Sequence, residues 1–189
     1  MANLALVSKT VMGLVEPAVR SRADRLFVLT GGRRGSQKRK PTIEKYYETG
    51  LVVALYEFLL MAPDLAHLEI CHERAYDKKT KPEQVDLSIQ CDNGGRVTLI
   101  ECGDFSPKKV KDDICKMRRL NPNGTNWFLA FFRDPATAPN PWKKIKECRG
   151  RKKSLKGVHI EIAEKFCHHF TITLPNSSTT FGFALIKSK

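Results

Sequence analysis

The stretch "VDLSIQCDNGGRVTLIECGDF", residues 85–105, decides how this chain is read. It reads as two short strands joined at Asn93-Gly94, because an Asn-Gly pair between strands suits the left-handed backbone of a two-residue type I′ turn. With those two residues in the loop, Asp92 faces Gly95, and pairing outward places Asp86 directly opposite Glu101. Directly opposed residues have Cβ atoms about 4.5–5.5 Å apart on one face of a sheet. Two carboxylates at that range stay ionised only beside a cation; otherwise one takes up a proton. A hard divalent ion answers the need, since Mg²⁺ is held by one or two carboxylates and keeps several waters. Such an ion activates water and stabilises charge on a phosphoryl oxygen. The other reading of the pair is a turn of different length, or acids splayed at an exposed strand end.

Upstream, Pro41 and Thr42 precede a helix predicted from Ile43 to Met61, with Thr42 as its cap. Apolar residues surround this helix on nearly all sides, which predicts burial in the core. Glu48 and Glu57 then sit among apolar neighbours, so each is expected either at a wet edge or beside a cation. Residues 66–76 alternate as a strand. Downstream, Ser106-Pro107 opens a helix by the cap-then-proline rule. It buries Val110, Ile114, Met117 and Leu120, and its other face carries Lys108, Lys109, Lys111, Lys116, Arg118 and Arg119. The apolar run at 126–132 marks a central strand. A second basic helix at 142–149 and further strands close the chain. Helices and strands in mixed order predict an α/β or α+β domain.

The whole of 1–189 reads as a single domain: an N-terminal helix and basic arm at 1–40, a core at 41–135, and a C-terminal helix and strands at 136–189 that complete the sheet. Residues 3–18 are expected as a short amphipathic helix and 20–40 as a basic segment. Lys and Arg number 33 against 20 Asp and Glu, a net charge of +13. That excess favours a polyanionic partner, through phosphate contacts and counterion release. The basic positions nominated for the backbone of a nucleic acid are Arg33, Arg34, Lys38, Arg39 and Lys40, then Lys108, Lys109 and Lys111, then Arg151, Lys152 and Lys153. DNA is the expected partner and RNA is not excluded; a homodimer or a partner subunit is compatible with the same reading. No apolar stretch reaches the roughly 20 residues of a membrane span, and Lys9 and Glu16 interrupt the apolar start, so a cytoplasmic protein is expected. The six cysteines form no C-x-x-C pair and are expected to be reduced, several of them buried. Cys71-His72 and Cys167-His168-His169 lack the spacing of a zinc site.

A helix with an acid, a strand, "VDLSIQ", a hairpin, "TLIEC" and a basic helix, over residues 43–132, resemble the core of the PD-(D/E)XK, or restriction-endonuclease-like, nuclease superfamily. The resemblance implies an α/β fold with a central mixed β-sheet flanked by helices. It implies a metal-dependent DNA endonuclease, a hydrolase of phosphodiester bonds using Mg²⁺ or Mn²⁺. Asp86 and Glu101 correspond to the two motif acids and metal ligands, joined by the carbonyl of Cys102, and Glu48 to the helix acid. The motif lysine falls at Gly103, and glycine has no side chain to position water or steady a phosphate. Either a lysine reaches in from elsewhere, with Lys108, Lys109 and Lys81 as candidates, or the site has lost its chemistry. The alternative is therefore a catalytically degenerate nuclease-fold protein that acts as a nucleic-acid-binding or partner-binding subunit.

Overall fold

Strand β4, Thr125–Phe132, is buried along its whole length and shows how the layers are built. Leu129 and Phe131 pack into one apolar core, while Phe128, Ala130 and Phe132 pack into a second. Alternate side chains of a strand point to opposite faces, so a continuous apolar run serves two helical layers at once. In this computed structural model the described residues are 4–29, 48–75, 83–91, 98–150, 155, 158–174 and 177–189.

The elements run α1 (Leu4–Leu29), α2 (Glu48–Leu60), a 3-10 turn at Pro63–Leu65, β1 (Leu68–Ala75), β2 (Gln84–Cys91), β3 (Thr98–Asp104), α3 (Pro107–Leu120), β4, α4 (Pro141–Gly150), β5 (Ile160–Glu161), β6 (Cys167–Leu174) and β7 (Ser177–Ser188). Among the described residues seven strands form one mixed sheet in the order β1-β2-β3-β4-β7, with β5 and β6 both pairing β7. β3 and β4 are parallel and joined through α3; the other pairs are antiparallel. The architecture is α/β, an open mixed sheet flanked by helices.

One core lies under α1 and α2. Val7, Val11, Val15, Ala18, Val19 and Ala23 recur along one side of α1, at the three- and four-residue spacing of a helix face. α1 is longer than the 3–18 helix expected. It continues through Pro17 to Leu29, because the buried stripe does not stop at 18. Part of the expected basic segment is therefore helix. Arg20 pairs with Glu16 and lies over the Phe170 ring, and Arg22 lies against Gly50 of α2. α2 is not buried all round: Leu51, Val52, Ala54, Leu55 and Leu59 face the core, while Glu57 and Leu60 are exposed. Residues 43–47 of the expected helix lie outside the described residues, with the Thr42 cap.

The second core lies under α3 and α4, which contribute Val110, Ile114, Met117, Ile145 and Cys148. α3 is capped as its sequence predicts: Ser106 Oγ accepts from the Lys109 amide at 3.1 Å and Pro107 takes the first position. Its buried residues are Val110, Ile114 and Met117; Leu120 is only partly covered. No helix among the described residues is long and apolar enough to cross a membrane.

Candidate active site

β2 and β3 pair in the register read from the sequence: Leu87 with Ile100, Ser88 with Leu99, and Ile89 with Thr98. The Asn93-Gly94 turn itself lies outside the described residues. The same register carried one step further sets Asp86 against Glu101, but the ladder stops before it. On the opposite edge the β1–β2 ladder pairs His72 with Leu87 and Arg74 with Val85, and skips Glu73 opposite Asp86. Glu73 has φ 51°, a left-handed backbone that non-glycine residues seldom adopt. The strand also changes faces here, since Val85 packs under α3 while Leu87 and Ile89 pack under α1 and α2. Asp86 therefore sits at an irregularity in the sheet. Its Oδ2 accepts the Cys102 amide at 2.7 Å.

Glu101 alternates with Leu99, so it faces α3, and its side chain is only 5% exposed. Lys116 of α3 forms an ion pair with Glu101 Oε1 and also donates to the Gln84 carbonyl at 3.0 Å. About two turns earlier on α3, Lys109 Nζ lies 3.1 Å from Glu48 Oε1 and 3.6 Å from Asp113 Oδ2. Glu48 enters from the start of α2, and its second oxygen accepts the Asp104 amide at 3.2 Å. Of the two acids on α2, Glu57 is thus at the wet edge and Glu48 beside a cation.

Gly103 is what allows Glu48 and Lys109 to meet. A Cβ at this position would overlap Lys109 Cε and would lie 2.8 Å from Glu48 Oε2 and 2.9 Å from Lys109 Nζ. The space that a side chain at 103 would fill holds the end of Lys109.

The electrostatics follow from burial. Glu101 is pushed up to about 8, first by burial and then by the Asp86 charge, which together outweigh Lys116. Asp86 is raised by burial, against the opposing pull of the Cys102 amide and Lys109. Asp113 is raised by burial as well. Burial disfavours the Lys109 charge, yet the carboxylates of Glu48, Asp113 and Asp86 hold its pKa above the usual lysine value. The buried Cys102 thiol is raised well above the ordinary range by burial and the nearby acids, so it stays protonated. That thiol lies in the α1/α2 core, on the face of the sheet away from Glu101, which leaves only the Cys102 carbonyl for the ligand role expected of this residue.

Among the described residues, no group of three or more His, Cys, Asp or Glu side chains stands at metal-binding spacing. The acids are divided among amides and lysines instead. The donor chemistry nonetheless fits a hard divalent ion. Four carboxylates (Glu48, Asp86, Glu101, Asp113) share two ammoniums (Lys109, Lys116), and burial, with the neighbouring acids adding to it, keeps Glu101 and Asp86 raised. Magnesium asks little more of a protein than one or two carboxylates.

Of the lysines nominated to replace the one missing at 103, Lys109 is inside the cluster and Lys108 is exposed, away from it; Lys81 lies outside the described residues. Lys109 and Lys116, expected on the outer basic face of α3, instead turn inward to the acids. Lys109 accordingly leaves the surface set that would grip a backbone. Lys108 and Lys111 remain exposed on α3, as do Arg118 and Arg119, the latter paired with Glu83. Arg33, Arg34, Lys38, Arg39, Lys40, Arg151, Lys152 and Lys153 lie outside the described residues.

Sequence reasoning missed Asp113 and Lys116. Their signal was present, because Lys109, Asp113 and Lys116 follow helical spacing immediately beside the buried Val110–Ile114–Met117 stripe. Among the described residues Cys71, Cys102, Cys115, Cys148 and Cys167 form no disulfide, and Cys102 and Cys148 are buried. No family model, curated protein or solved structure matches the chain.

Proposed function

We propose that this protein is a metal-dependent phosphodiester hydrolase of the restriction-endonuclease-like kind, acting on DNA, with Lys109 in the place of the lysine absent at position 103. The observation that carries the reading is the Lys109 side chain lying in the space a residue at 103 would fill, beside Glu48. A decayed site has no reason to hold an ammonium there, or to keep Asp86 and Glu101 together at a cost in desolvation. Asp86, Glu101 and the Cys102 carbonyl would hold a Mg²⁺ or Mn²⁺ ion. When bound, that ion supplies a lowered water pKa and positive charge against a phosphoryl oxygen. Lys109 presents a fixed cation to the phosphate and to the charge that develops on it. Glu48 and Asp113 hold the Lys109 ammonium in place from two sides, at 3.1 and 3.6 Å. Lys116 compensates Glu101.

The test is nicking of supercoiled plasmid by the purified chain with Mg²⁺ or Mn²⁺. Asp86→Ala and Glu101→Ala are expected to lower cleavage by about a thousandfold or more while DNA binding persists. Undiminished cleavage by either variant would reject the mechanism. Salt-sensitive binding with no cleavage under either metal would favour the binding-subunit alternative.

A further inference from the structure

β3 and β4 are parallel and both end on the side of the sheet where the acid cluster lies. In open α/β sheets the crevice beyond the carboxyl ends of such strands is where ligands bind. Here that crevice is a cavity of about 370 Å³, lined by Asp104, Phe105, Phe132, Arg133, Asp134 and Lys144 among others. The volume is within the range of small-molecule sites.

The walls have distinct chemistry. Phe105 and Phe132 stack on each other with ring centroids 4.9 Å apart. Phe105 is half-buried, which leaves part of its ring at the cavity. Arg133 is largely buried and pairs with Asp104 in a fork: Nε donates to Oδ1 at 2.6 Å and Nη2 to Oδ2. Asp134 is engaged by the Ala136 amide at 2.8 Å. Lys144 extends from α4, and no carboxylate among the described residues pairs with it.

Charge decides the kind of ligand. The Arg133 cation is compensated by Asp104, so this wall is no magnet for a bare phosphate. What it exposes is the half-open Asp104 carboxylate, a set of acceptors held in place by Arg133, next to an aromatic ring, with one ammonium further out. A neutral planar ring bearing N–H donors matches such a wall, and a phosphate attached to that ring matches the ammonium.

We propose that this cavity is a base-binding subsite, taking one unpaired nucleobase of a DNA strand against Phe105 and the Arg133–Asp104 pair, with the adjoining phosphate at Lys144. Asp104 belongs to both places, since its amide holds Glu48 and its carboxylate holds Arg133. A base seated here is therefore one residue from Gly103 and the Lys109 ammonium. The inference rests on the nuclease reading for the identity of the strand, not for the pocket's chemistry.

The experiment is fluorescence anisotropy of short labelled oligo-dA, oligo-dC and oligo-dT in excess EDTA, where no metal-dependent cleavage can interfere. The strands are expected to differ in affinity by about fivefold or more. Lys144→Met and Phe105→Ala are each expected to weaken the preferred strand about tenfold and to level the difference. Lys144 is half-exposed on α4, so its variant keeps the fold and carries the test should Phe105→Ala lower the melting temperature. Equal binding of the three strands, with both variants indistinguishable from wild type, would overturn the proposal. So would tight binding of dAMP, dCMP or TMP with no preference among strands, which would assign the cavity to free nucleotides. A chain that never cleaves DNA but shows the base preference would end the hydrolase reading and keep the subsite. A chain that cleaves but binds all strands alike would do the reverse.

Discussion

Under α1 and α2 the sheet is closed by Ile100, Cys102, Trp127, Leu129, Phe183 and Leu185, apolar contacts that continue into the Val7–Ala23 stripe of α1. Under α3 the sheet begins the same way, with Leu99, Phe128, Ala184 and Ile186 against Val110, Ile114 and Met117. It then departs from the pattern at one end, where Asp86 and Glu101 meet Lys109, Asp113 and Lys116. Among the described residues, Glu101 is the one charged side chain in the buried class. The α1/α2 face needs no explanation beyond packing. The α3 face gives its apolar stripe to the fold and a parallel row of the same helix to charge; a half-compensated buried carboxylate costs stability, and such groups cluster at functional sites.

The Gly103–Lys109 exchange breaks this comparison most sharply. Lys109→Met is expected to lower plasmid cleavage about a hundredfold, the scale on which a single aligned charge acts. Gly103→Ala is expected to do nearly as much without replacing a charged residue, because its Cβ displaces the Lys109 chain. Gly103→Lys combined with Lys109→Ala returns an ammonium to the same space from the strand instead of the helix, and part of the lost activity is expected back. Full activity of Lys109→Met would reduce the charged end of the α3 face to a structural ion-pair cluster, and melting temperatures of the three variants separate that outcome from misfolding.

Most of the architecture was legible because it depends on periodicity. The run at 126–132, the Ser106-Pro107 cap and the Val110–Ile114–Met117 stripe each specify an element with little help from the rest of the chain. The β2–β3 register was legible for the same reason, since the Asn-Gly pair allows few loop lengths. The reading failed for the direction of two lysines, for the length of α1 and for α2, expected to be buried all round, which leaves Glu57 and Leu60 exposed. Lys109 and Lys116 lie on the border of the buried stripe, and lysines there turn outward or inward according to what faces them. Only the fold brings Glu48 and Glu101 opposite them. The end of α1 was missed because Arg20 and Arg22 read as a basic loop, whereas Val19 and Ala23 extend the buried stripe past them. The cavity beyond β3 and β4 was not legible at all, since Asp104, Arg133 and Lys144 come together only when two parallel strands end side by side.

Burial of Glu101 makes a smaller difference between the faces measurable without any substrate. Burial and the Asp86 charge push its carboxyl up to about 8 in the folded protein, against about 4.3 in an unfolded chain. Between those values the folded state binds the extra proton, so stability is full below the lower value and falls as pH rises through the upper one. The raised Asp86 and Asp113 act with the same sign. In the absence of divalent metal the melting temperature is expected to fall by roughly 2–6 °C between pH 6 and pH 8. Glu101→Gln is expected to remove most of that fall, and Leu99→Val, a change on the same strand and face, is expected to leave its slope intact. Added Mg²⁺ is expected to raise the melting temperature more at pH 8 than at pH 6, because it favours the ionised form. A wild-type midpoint that rises over this interval would mean that Lys116 already compensates Glu101 in full.

The exposed side of α3 gives the smallest effect and separates gripping from chemistry on one helix. Lys108 and Lys111 point to solvent, while Lys109 between them does not. A lysine that neutralises one phosphate of duplex DNA contributes about one unit to the slope of log affinity against log salt. Lys108→Ala and Lys111→Ala are each expected to lower that slope by up to about one and to leave single-turnover cleavage at saturating DNA unchanged. Lys109→Met is expected to behave in the opposite way, with nearly unchanged slope and lost cleavage, because its ammonium is held by Glu48 and Asp113 within the protein. If all three variants lose salt slope equally and none loses cleavage, Lys109 belongs with the surface cations, and the inward row of α3 carries no chemistry.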